Sequence, residues 1–186
     1  MRTRIRLHLA LVAAVAIAAP ALGADNDMSH AAMQLEPGLW EFAQTQKVSG
    51  DTVIADKMLA RVPPEQREQF LAEMRRMLEE PHKVRECMTQ AKFEQQVFLK
   101  STGCTETVVS NTASLIEIKT ACRTDNEGTQ DLDHKIAAAS PTSLTSSLHA
   151  VVARDGKTMT VDSTEIARRL GADCGDLKEN EIREVQ

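Results

Sequence analysis

The chain has 186 residues and a formal charge of −5, with one tryptophan and no tyrosine. That length suits a single domain, at roughly 100–200 residues each. The acidic balance and the absence of a dense basic stripe argue against a nucleic-acid binder, which gathers Lys and Arg on one face.

Residues 1–6 hold three arginines, and 7–19 form an apolar run interrupted only by His8. Pro20 and the small residues Ala21, Gly23 and Ala24 follow. A basic start, a short apolar run and a small-residue cleavage region predict a secretory signal peptide over 1–23. The run is shorter than the roughly 20 residues of a membrane-spanning helix. No cysteine precedes Cys87, so a lipid on an N-terminal cysteine is not expected. Cleavage removes Arg2, Arg4 and Arg6 and takes the charge from −5 to −8. The expected product is periplasmic or secreted, without a membrane span.

Residues 24–35 read as a flexible leader. Met28, His30 and Met33 within it form a soft-ligand set of the kind that can hold copper, set against an incidental methionine-containing tail. PGLWEFAQTQKV (37–48) opens the fold as a strand with Trp40 and Phe42 on one face and Leu39 and Glu41 on the other. Trp40 is expected to anchor the core. Ser49-Gly50-Asp51 reads as a turn into a short partner strand at 52–54.

Pro63-Pro64 starts a helix over 65–80, with Phe70, Met74, Met77 and Leu78 at helical spacing. Glu65 and Glu68 sit early and Arg75 and Arg76 late, as the helix dipole favours. Arg75–Glu79 and Arg76–Glu80 can pair at i, i+4, and Pro81 stops the helix. The stripe is expected to cover a sheet face, or alternatively to dock a partner. Residues 82–88 return to extended structure, and Thr89 caps a short helical turn at 90–95 whose Phe93 packs inward.

CTETVVSNTASLIEIKTAC (104–122) predicts a hairpin broken at Asn111-Thr112. Placing Cys104 opposite Cys122 sets Val108 opposite Ile118 and Ser110 opposite Ile116, so one register satisfies cysteines and apolar residues together. After a turn at 124–128, residues 129–139 alternate, with Leu132, His134, Ile136 and Ala138 on one face. Residues 142–154 then align Leu144, Leu148, Ala150 and Val152. Asp155-Gly156 is a two-residue hairpin signal that pairs Val152 with Met159 and Ala150 with Val161. Residues 176–186 read as a polar tail, outside a single domain spanning 36–175.

Four cysteines in an exported chain predict two disulfides. Of three possible connectivities, the hairpin favours Cys104–Cys122, which leaves Cys87 for Cys174. Gaps of 17, 18 and 52 positions between successive cysteines contain no C-x-x-C pair of the reactive or metal-binding kind. There is no G-x-S-x-G, H-E-x-x-H, Walker loop or G-x-G-x-x-G. His134 is expected as a hydrogen-bonded core histidine and His149 to face outward. Asp131 with Asp133 should point to solvent, and Asp162 and Glu165 should not share a strand face. No catalytic residue and no cofactor are assigned.

PGLWE, the methionine-rich P-P-E-Q-R helix, V-R-E-C-M-T and the closing R-R-L-G-A-D-C resemble the bacterial domain-of-unknown-function 3617 family. The likeness spans about residues 37 to 174, and the four cysteines fall in that family's order. Gly171-Ala172-Asp173-Cys174 departs from it by one residue between glycine and cysteine. The resemblance implies an exported, mostly β protein and carries no catalytic residues across.

The expected architecture is mainly β (α+β): an antiparallel meander of about seven strands curling into a half-barrel or barrel, with one inserted amphipathic helix. The expected role is non-enzymatic. One form is a small apolar ligand held by Trp40, Phe42, Ile118, Ile136 and Leu148. The alternative is an envelope partner docked on the 65–80 helix.

Overall fold

The computed structural model describes residues 33–54, 56–97, 103–124, 128–178 and 181–185. The expected signal peptide (1–23), Met28 and His30, and turn residues 125–127 lie outside them. Eight strands make one antiparallel sheet: β1 (Gly38–Gly50), β2 (His82–Met88), β3 (Cys104–Asn111), β4 (Leu115–Thr124), β5 (Gly128–Ser140), β6 (Ser143–Arg154), β7 (Lys157–Gly171) and β8 (Ile182–Glu184). Their spatial order is β3-β4-β5-β6-β7-β1-β2-β8. The sheet is curled but not closed. The helices are α1 (Asp56–Leu59), α2 (Arg67–Glu79), which continues a 3-10 turn at Pro64–Gln66, and α3 (Gln90–Val97).

β3 to β7 form the expected meander. At its last turn Asp155 (φ 49°) and Gly156 (φ 73°) both occupy the left-handed region, as a two-residue hairpin requires. Val152 then faces Met159 and Ala150 faces Val161. At the other edge Cys104 faces Cys122 and Val108 faces Ile118, as the cysteine spacing predicts. Beyond Val108 a bulge shifts the register, so Ser110 faces Glu117 and Asn111 faces Ile116. The expected Ser110–Ile116 pair fails because Val109 is an extra residue, and such bulges are common at sheet edges.

No strand forms at 52–54. β1 instead runs through Gly50 and pairs along its length with β7. Asp51 ends that ladder: its N–H donates to the Thr158 carbonyl at 2.8 Å, and its carboxylate accepts from the Thr158 N–H at 3.0 Å. The chain therefore leaves the sheet rather than folding back along it. Gly38 of PGLWE has φ +140°, and a Cβ there would lie 2.1 Å from the Gly171 carbonyl oxygen. Only glycine permits that approach of β1 to the end of β7.

The helix expected at 65–80 forms over 64–79 and gives way to extended backbone at Glu80. Arg75 reaches Glu79 at 4.0 Å, but Arg76 pairs with Glu73 at 2.6 Å rather than with Glu80. Glu80 has already left the helix, so it is not one turn above Arg76. β2 covers β1 only from Gly38 to Gln44. Beyond it, α2 side chains serve the bare edge: Glu79 accepts from the Val48 N–H at 3.0 Å, and Arg75 donates to the carbonyls of Val48 and Gly50.

The residues around Trp40 make the main core, with Met88, Phe93, Ile116, Ile118, Leu144 and Ala167 buried together. Trp40 is fully buried, its ring meeting Phe93 edge-on at 5.3 Å and its N–H donating to the Glu36 carbonyl at 2.9 Å. Met33 and Leu35, expected in a flexible leader, are buried in this same core. Their apolar surface gains more against Trp40 than in water, so the folded unit begins before residue 36. The expected polar tail also joins the fold. Ile182–Glu184 pairs with Val84–Glu86, and Leu177 is buried. This eighth strand covers an edge of β2 that would otherwise stand open.

Cys104–Cys122 bridges β3 to β4, and Cys87–Cys174 ties β2 to the segment after β7. β7 ends at Gly171, three residues before its cysteine.

Candidate functional site

Side chains opposed across neighbouring strands share a face, so the registers define rows on the inner face of the sheet, the face carrying Trp40. One row runs Ile116, Ile136, Ser146, Glu165, Gln44, His82 across β4, β5, β6, β7, β1 and β2. The next runs Ile118, His134, Leu148, Ser163, Gln46. The main core takes in the β4 ends of these rows, Ile116 and Ile118, and continues to one side of them. To the other, beneath the end of β1 that α2 holds, Val48, Ala150 and Met159 are buried. The middle is mixed: polar groups and half-buried Phe42, Ile136 and Leu148 share the surface between two filled apolar ends.

Within this band His134 Nε2 meets Ser146 Oγ at 2.9 Å, and Gln44 Nε2 donates to Ser163 Oγ at 3.0 Å. Burial pushes the His134 pKa down, which keeps the ring neutral. Glu86 of β2 is buried and forms an ion pair with Lys92 of α3. Glu165 is half-buried, and its carboxyl makes no hydrogen bond or ion pair among the described residues. Burial raises its pKa, and the neighbouring Glu86 charge raises it further.

The five side chains predicted as a ligand wall all lie on this face. Trp40 and Ile118 are filled core, Phe42 and Ile136 pack against it, and Phe42, Ile136 and Leu148 are all half-buried beside the polar band. Met33, one of the three expected soft ligands, has its thioether in the core rather than at a surface. Sequence reasoning missed Gln44, Glu86, Lys92, Ser146 and Ser163. The available signal was parity: Gln44 follows Trp40 and Phe42 at every second residue, and Ser146 sits between Leu144 and Leu148 in the same way.

The opposite face carries ion pairs. Lys119–Asp133, Arg123–Asp131 and His149–Asp162 are exposed, at 3.4, 2.7 and 2.6 Å. Some of these residues line a shallow groove of about 400 Å³ with Thr105, Thr107 and Val151. Asp162 and Glu165 lie on opposite faces, as their spacing predicts. Near the start of β1 on this outer face, Glu41 accepts from Arg85 at 3.0 and 3.1 Å and from Arg168 at 2.8 Å. The hydrogen bond from Arg168, then that from Arg85, holds the Glu41 carboxyl below the ordinary glutamate range.

The family described as "Protein of unknown function (DUF3617)" matches residues 35–174. The chain belongs to the DUF3617 family. None of the curated proteins compared with it matches. The match begins at Leu35, which is buried in the core, and ends at the disulfide-bonded Cys174. Two disulfides and no free cysteine suit an oxidising, extracellular environment. Among the described residues, no helix is long and apolar enough to cross a membrane.

Proposed function

We propose that this DUF3617 protein is an exported, periplasmic binding module that holds a small, largely apolar ligand on the inner face of its sheet and performs no chemistry on it. The basic and apolar start of the chain supports export. The binding reading rests on one observation: the inner face is filled at both ends and only half-covered between them. Phe42, Ile136 and Leu148 supply apolar wall there, with a few polar groups interspersed, the usual composition of a small-molecule site.

Native mass spectrometry of the protein, exported to a bacterial periplasm and purified without reductant, tests this. The expected mass lacks residues 1–23 and four thiol hydrogens and carries a small-molecule adduct. Leu148→Arg should remove the adduct and keep both disulfides. An adduct-free protein that also takes up no added apolar compound would overturn the reading.

A second reading, docking of an envelope protein on α2, is favoured by the absence of any fully buried residue in that helix. Phe70, Met74, Met77 and Leu78 are all half-buried. Crosslinking in intact cells from a photoreactive side chain substituted at the exposed Gln69, with and without Met74→Lys, separates it from the ligand reading.

A further inference from the structure

We infer that the ligand is a primary amine with an apolar body, its ammonium group received by Glu165; this rests on the inner-face site proposed above. The charges around that site are otherwise committed. Glu86 is paired with Lys92, and Arg169 is taken by Glu36 and the Pro37 carbonyl. His134 bonds Ser146. His82, at the β2 end of the Glu165 row, is exposed. Among the described residues, one carboxyl, Glu165, is left without a cation on a half-buried surface.

Its neighbours supply what an ammonium group needs. Gln44 and Ser146 stand directly opposite Glu165 on β1 and β6. Gln44 donates one side-chain N–H to Ser163, and its carbonyl oxygen remains available as an acceptor among the described residues. Glu165, that carbonyl and the Ser146 hydroxyl are three acceptors for the three N–H donors of a primary ammonium. Ile136 lies in the Glu165 row and Leu148 and Phe42 in the rows on either side, and these would take the hydrocarbon portion. A carboxylate head group would instead meet Glu165 and Glu86, which repel it.

Raised by burial and Glu86, the Glu165 carboxyl holds a proton more firmly than an exposed glutamate. At a pH where the Glu165 carboxyl is protonated, an arriving alkylammonium ion displaces that proton to solvent, so binding strengthens as pH rises through the Glu165 pKa. The test is titration calorimetry of the disulfide-bonded exported protein with octylamine, octanol and octanoate, in two buffers of different ionisation enthalpy. Octylamine should bind at least about tenfold tighter than either competitor, as a charge-assisted pair in a half-buried site would give, with proton release at pH values below the Glu165 pKa. Glu165→Gln should abolish that preference while keeping octanol affinity, which also shows that the variant is folded. Equal affinities in the wild type, or a preference that survives Glu165→Gln, overturn the amine assignment and leave the apolar site standing. Failure of all three compounds to bind overturns the site and the amine assignment together.

Discussion

Arg75 of α2 donates to the carbonyl of Val48, at the point on β1 where β2 has run out. The helix is therefore attached to the sheet through backbone hydrogen bonds as well as its half-buried apolar stripe. Arg75→Ala should cost about 1.5–3 kcal/mol, the usual range for a lost hydrogen bond to a charged group. Urea denaturation would report the loss, and faster amide exchange at Val48 and along α2 would localise it. Arg75→Lys should recover only part, since an ammonium lacks the forked geometry that reaches both Val48 and Gly50.

Glu41 should give the fold an acid-sensitive component. Its pKa is lower in the folded protein because Arg168 and Arg85 stabilise the carboxylate. The unfolded chain then binds the proton more readily, so stability rises with pH across that interval. The contribution is full above the unfolded glutamate value of about 4.3 and disappears as pH falls through the folded value. Stability measured from pH 7 down to 3 should fall less steeply in Glu41→Gln than in the wild type, and an unchanged slope would contradict this.

Trp40→Ala should be the most damaging core truncation, at about 3–5 kcal/mol. The indole is fully buried, and its loss also leaves the Glu36 carbonyl without its donor. Circular dichroism is the suitable probe, because the variant has no tryptophan left to report unfolding.

Removing the two disulfides should have unequal effects. Cys87 and Cys174 are separated by 87 positions and Cys104 and Cys122 by 18. On the chain-entropy model the longer closure contributes about 4–5 kcal/mol and the shorter about 3. Paired Cys→Ser variants, compared in thermal unfolding, should rank in that order. Non-reducing peptide mapping of the wild type should recover Cys87–Cys174 and Cys104–Cys122 fragments only.

The meander was legible in the sequence because each hairpin carries its own evidence. Asp155-Gly156 supplies a turn that needs two left-handed residues, and the paired cysteines specify a register that the apolar alternation repeats. What could not be read depends on contacts far apart in the chain. Nothing in residues 37–48 states that β7 is their neighbour, so 52–54 looked like the nearer partner. Leu177 and Ile182 sit among charged residues, and only the open edge of β2 makes a strand of that tail. The candidate site was half legible for the same reason. Alternation put Phe42, Ile136 and Leu148 on one face, but the meeting of Gln44, Ser146 and Glu165 requires strands β1, β6 and β7 to lie side by side.

The placement of β1 between β7 and β2 sets an order on folding. Its partners on one side are not synthesised until the chain reaches residues 159–171. A ribosome-bound chain that stops short of β7 can pair Trp40 with Glu86 of β2 but lacks the Arg169 side of its sheet position. Pairings this distant in sequence are slow to close, and no disulfide holds β1 in place while they form, since the first cysteine lies in β2. The strand that bears the core tryptophan is therefore made first and is flanked on both sides only once β7 is present.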